Sequence, residues 1–106
     1  MGEHMGHDAD LLRTAARRLE ELAARTTTGD WAIGGLLASR PEVIAHGPDG
    51  ATEHVAEARA ASAAWITALS PAVAGPLTRW LREAAERSPV EPAALELARV
   101  LRDRLP

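Results

Sequence analysis

DWAIGGLLASRPEVIAHGPDGATEHV, residues 30–55, is the stretch that decides the fold. Gly34-Gly35, Pro41, Gly47, Pro48 and Gly50 break any helix through it. Between the breaks, Trp31-Ala32-Ile33 and Val43-Ile44-Ala45-His46 have the length and side-chain types of short strands. Gly47-Pro48-Asp49-Gly50 is a turn, because Pro presets φ at the second position and Asp-Gly follows it. Ala51 to Val55 then return as a third strand. With Gly47–Gly50 as the whole loop, His46 pairs with Ala51 and Ile44 with Glu53, and His46 and His54 fall on opposite faces. A competing reading starts a helix at Thr52, since Val55, Ala58, Ser62, Trp65 and Leu69 also fit helical spacing. The hairpin is preferred.

Helices are expected on both sides of this region. Upstream, residues 1–7 hold two Gly and two His without periodicity and are expected to form a disordered tail. One domain then covers residues 8–106. Asp8 or Asp10 can cap a helix in which Leu12, Ala15, Leu19 and Leu22 form one apolar stripe. Arg17–Glu21 and Glu21–Arg25 are one turn apart on its polar side. Thr26-Thr27-Thr28-Gly29 ends it. Downstream, a second helix from about Ala58 carries Trp65, Ile66 and Leu69 on its apolar edge. Ser70-Pro71 closes it and opens a third, with Ser as N-cap and Pro in the first turn. That third helix, kinked near Gly75-Pro76, runs to about Arg87. Val73, Leu77, Trp80, Leu81 and Ala84 lie on one side of it. After the Ser88–Pro92 break, a last helix faces inward through Leu95, Ala98, Leu101 and Leu105.

Composition narrows the function classes. The chain has 106 residues, enough for one domain with a modest core. There is no Cys, which excludes disulfides and thiolate chemistry. No apolar run approaches the roughly 18 residues of a membrane span, no signal peptide opens the chain, and a cytoplasmic location is expected. Ala fills 23 positions and every basic residue is Arg, the codon bias of a GC-rich, actinobacterial genome. With so few large side chains, Trp31, Trp65 and Trp80 are all expected in or beside the core. Net charge is −3 and the signs alternate along the helices, which argues against a nonspecific nucleic-acid binder.

Several segments together resemble a known group. They are Thr28-Gly29-Asp30-Trp31, Ala60-Ala61-Ser62-Ala63-Ala64-Trp65-Ile66, Ser70-Pro71-Ala72-Val73, Leu77-Thr78-Arg79-Trp80-Leu81 and Pro92-Ala93-Ala94-Leu95-Glu96-Leu97-Ala98-Arg99. From about Leu11 onward the chain is similar to small proteins encoded by actinobacterial phages, plasmids and integrated elements. Their pattern is an amphipathic helix, a T-P-G-P-W turn, a short β region and three helices. Gly29-Asp30 stands where that family has G-P, and Ser62 where it has Asp. The resemblance implies a fold and a mobile-element origin and brings no site residues with it.

The residues themselves offer no catalytic, cofactor-binding or metal-binding set. His46 and His54 flank the turn and are read as solvated loop histidines, and no helix carries two His at metal-ligand spacing. After removal of Met1, Gly2-Glu3-His4 would form an amino-terminal Cu(II) chelate, which any loose tail of that sequence does. Glu20-Glu21 and Glu83–Glu86 sit on Arg-rich faces and read as solvated carboxylates rather than an acid–base pair. No G-x-S-x-G turn is present, and Gly34-Gly35 lacks the Lys and spacing of a phosphate loop.

The expected fold is therefore mainly helical α+β, in the order α-β-β-β-α-α-α around a small antiparallel sheet, with an all-α fold second. The expected function is a non-enzymatic protein-interaction module of a phage or plasmid, binding a host or phage protein. The alternative is a small DNA-associated regulator using Arg79, Arg82 and Arg87 of the third helix. A homodimer is also expected, with the stripe Leu12, Ala15, Leu19 and Leu22 in the contact.

Overall fold

A computed structural model describes residues 2–34 and 41–106, with side chains from residue 6 onward in the first of these spans. The described residues form a mainly helical α+β fold. The order is α1 (Gly2–Arg25), β1 (Asp30–Gly34), β2 (Glu42–His46), β3 (Thr52–Glu57), α2 (Ala60–Ala68), a 3-10 turn (Pro71–Val73), α3 (Ala74–Ala85) and α4 (Pro92–Arg104). α1 starts at Gly2, upstream of the Asp8 or Asp10 cap read from the sequence. The chain separates into two compact units: residues 1–25 with 74–106, and residues 26–73.

The first unit is a three-helix assembly in which α1 packs on α3 and α4. Its inner surface is almost entirely alanine. Ala15, Ala16, Ala84, Ala85, Ala94 and Ala98 are buried there, with Leu12 and Leu81 as the only fully buried large side chains of the cluster. Leu19 and Leu22 are half-buried. On α4 the alanines Ala94 and Ala98 sit deepest, while Leu95 and Leu101 cover the cluster from outside. One long-range ion pair adds to this packing. The Arg82 guanidinium donates to both carboxylate oxygens of Glu20, to Oε2 at 2.8 Å. This hydrogen bonding holds the Glu20 carboxyl below its ordinary pKa and raises that of Arg82. The local pair Arg17–Glu21 is also present, at 3.7 Å.

The second unit is an antiparallel sheet in the order β1-β2-β3 with α2 against it. The hairpin prevails over the helical reading of Thr52 onward. Its register differs from the expected one by one residue. Gly47 N–H donates to Ala51 O at 2.8 Å, and Gly50 N–H to Gly47 O at 3.2 Å. Only Pro48, Asp49 and Gly50 therefore lie inside the loop, a type I turn followed by a left-handed residue, and Gly50 takes that place at φ 85°. Asp49 Oδ1 also accepts from Ala51 N–H. His46 consequently pairs with Thr52 and Ile44 with His54, so His46 and His54 share a face. The register then slips, and Val55 has no partner between His54 and Ala56. At the other end, Gly29 sits at φ 114°, where an added Cβ would lie 2.8 Å from His46 O, so the position needs glycine.

Val43 and Ala45 alternate with Glu42, Ile44 and His46 along β2, and only Val43 and Ala45 are fully buried. Register puts Trp31 and Ile33 on this covered face. α2 packs over β1 and β2, burying Ala63, while Ile66 and Thr67 are half-buried beside it. Trp31 Nε1–H donates to Thr27 O at 3.1 Å.

Two expectations need correction. The tryptophans are not all core residues: Trp65 is 69% and Trp80 37% exposed. The narrow alanine seams have no space for an indole. Residues 60–85 are also long and apolar enough, by composition, to reach the length of a membrane span. Ser70-Pro71 and Gly75-Pro76 punctuate that stretch and hide its length in the sequence. It is interrupted in the structure too: α2 has 9 residues and α3 has 12, and Ser70-Pro71 opens a 3-10 turn before α3 begins.

Urea denaturation tests the burial pattern. Leu81→Ala is expected to cost about 2–5 kcal/mol. Trp65→Ala is expected to stay within about 0.5 kcal/mol of the parent, as an exposed position should. The opposite ranking would place the indole in the core. The Glu20–Arg82 pair gives a pH signature. Because the Glu20 pKa is depressed on folding, its stabilising contribution is present above the ordinary carboxylate pKa and is lost as pH falls from there through the lowered folded value. Glu20→Gln is therefore expected to flatten the acid side of the stability–pH profile and to reduce its salt dependence. A profile identical to the parent's would show that the pair contributes nothing.

Candidate functional site

α2 sets up the most unusual surface of the molecule. No residue from Ala60 to Thr78 carries a charge. Inside α2, Ala63, Ile66 and Thr67 take the inward positions, and Thr67 Oγ1 donates back to Ala63 O. The remaining positions face solvent. Ala61, Ala64, Trp65, Ala68 and Leu69 follow three–four spacing and are all exposed, Leu69 at 55%. Trp65 and Leu69 stand one turn apart on this ridge, with alanines beside them. An amphipathic surface helix turns its polar side to water, and a helix apolar all round is normally enclosed. α2 carries no charge on any side and lies open. The sequence reading had Trp65, Ile66 and Leu69 on one inward edge, but only Ile66 turns toward the sheet.

The charged surfaces are of a different kind. An open groove of about 620 Å³ on the first unit is lined by Asp10, Arg13, Thr14, Arg17, Arg82 and Glu86. Each guanidinium in it already faces a carboxylate. Arg13 pairs with Asp10 at 3.4 Å, Arg17 with Glu21, and Arg82 with Glu20. Such a lattice neutralises itself and leaves little field for a phosphate. Arg79 and Arg87 are exposed beside Glu83 and Glu86. The engagement of Arg82 by Glu20, 62 positions away in the chain, has no local sequence signal.

The remaining candidates are dispersed. His54 Nδ1 lies 3.2 Å from Glu42 Oε2 on the open sheet face, and His46 is on the same face. No group of three His, Cys, Asp or Glu is placed to hold a metal among the described residues. Glu20 and Glu21 are each engaged by an arginine, Arg82 and Arg17 respectively. Gly35 and the side chains of the Gly2-Glu3-His4 chelate lie outside the described residues, while Gly34 ends β1. The seam expected to mediate dimerisation through Leu12 and Ala15 is used within the chain, where both are buried against α3 and α4. Those two residues cannot serve as a contact between copies.

Compared with protein-family models, with curated proteins and with solved structures, the chain matches none.

Proposed function

We propose that the chain is a non-enzymatic protein-interaction module, of the mobile-element kind that its sequence resembles, and that the outward face of α2 is its contact surface. One observation supports the reading above the others: Trp65 and Leu69 stand exposed on a helix without charge. An indole and a leucine held outward on a packed helix give contact area at small entropic cost, which is why aromatic anchors dominate binding hot spots. Alanines around them let a partner backbone come close. The alternative, a DNA-associated regulator on α3, is less well supported, since Arg82 is committed to Glu20 and acidic residues flank the other arginines.

Trp65→Glu and Leu69→Glu test this reading. Both sites are solvent-exposed, so circular dichroism and melting temperature are expected to match the parent. Chemical crosslinking of purified protein, alone and in lysate of the cell that makes it, is expected to give adducts that each variant lowers at least tenfold. Adducts unchanged by both substitutions would remove α2 from the contact.

A further inference from the structure

The open face of the sheet, turned away from α2, gathers side chains that the α2 surface does not use. In the hairpin register Ile44 pairs with His54 and His46 with Thr52, so the two histidines stand diagonally on neighbouring strands of one face. Diagonal neighbours lie roughly 7–8 Å apart, within reach of aromatic side chains. Ile44 follows His46 on this face of β2, but its side chain leans over β1. Its Cδ1 lies 2.6 Å from the place a Cβ on Gly34 would take, and glycine there provides the room. The β2–β3 side of the face is thereby left to the imidazoles.

His54 is also held in one orientation. Its Nδ1 lies 3.2 Å from Oε2 of Glu42. Glu42 is the diagonal neighbour of His54 on the side away from His46. The two nitrogens of an imidazole point to nearly opposite sides of the ring, so Nδ1 on Glu42 turns Nε2 away from Glu42, to the side where His46 stands. A carboxylate on one ring nitrogen is the contact that orients a histidine ligand and raises its basicity for a metal on the other. The strand is bulged at Val55, directly after His54, and bulges re-aim the side chains beside them. Charge acts in the same direction. Asp30 pairs with His46, and Glu42 stands directly opposite Glu57. Like charges in that position cost stability, and a cation on the face relieves them.

We infer that this face takes a divalent transition-metal ion of the zinc class, held by Nε2 of His46 and Nε2 of His54, with Glu42 as the carboxylate behind His54. Two nitrogens at about 2.0–2.1 Å from a tetrahedral ion are about 3.3 Å apart, and rotation of two exposed side chains brings the ring ends together. Imidazole suits zinc, copper and nickel, whereas calcium and magnesium take oxygen ligands. The set is two nitrogens and not three residues, in keeping with the absence of any three-residue group among the described residues. Water completes the coordination. The site is independent of any contact made by α2.

Isothermal titration with zinc chloride tests it on the whole chain carrying His4→Gln and His7→Gln, which removes the imidazoles of the amino-terminal segment. The expected result is one zinc per chain with unchanged circular dichroism, and imidazole NMR signals of His46 and His54 that shift together. His46→Gln and His54→Gln are each expected to weaken binding at least tenfold, and Glu42→Gln by about tenfold, as loss of an orienting carboxylate does. All three sites lie on the open sheet face, so the fold is expected to persist in each variant. No heat of binding overturns the site. So does an affinity that falls for only one of the two histidines, since a single imidazole would then suffice. One zinc per two chains would place the ligands on different copies and overturn it as well.

Discussion

Alanine at the helix contacts is the constraint from which the rest of the structure follows. It is the best helix former and costs almost no side-chain entropy to bury, so α1, α3 and α4 form and pack readily. It also contributes little area. The seam between these helices is narrow, and only Leu12 and Leu81 fill it with large side chains. A tryptophan needs a pocket for roughly 150–250 Å² of surface. No such pocket opens between these alanine ridges, and the Trp80 indole on α3 stays 37% exposed. The second unit repeats the pattern with Val43, Ala45 and Ala63.

A core of this kind leaves apolar surface that folding does not use. On the first unit, exposed arginines pair with Glu or Asp along or between helices. α2 is the exception. Its outward ridge is uncharged.

Much of the fold was legible because local rules carry it. Gly and Pro delimited the three strands, and three–four spacing marked α1 through Leu12 and Ala15. The hairpin register was missed by one residue because Gly47 and Ala51 pair, leaving three residues in the loop instead of four. Such a shift exchanges faces, and it moved His54 to the side of His46. The orientation of α2 was not legible for another reason. A helix without charge on any side has no marked edge in its periodicity, so Ile66 and Trp65 looked equivalent until packing chose Ile66. The Glu20–Arg82 pair joins α1 to α3 across most of the chain, and no spacing rule reaches that far.

The measurement that bears most directly on Trp65 is the fluorescence of a protein in which it is the sole tryptophan, made by Trp31→Phe and Trp80→Phe. Dilute protein is expected to emit at the long wavelengths of a water-exposed indole and to be quenched freely by iodide. Blue, unquenched emission at every dilution would contradict this, because Trp65 would then be enclosed by its own chain.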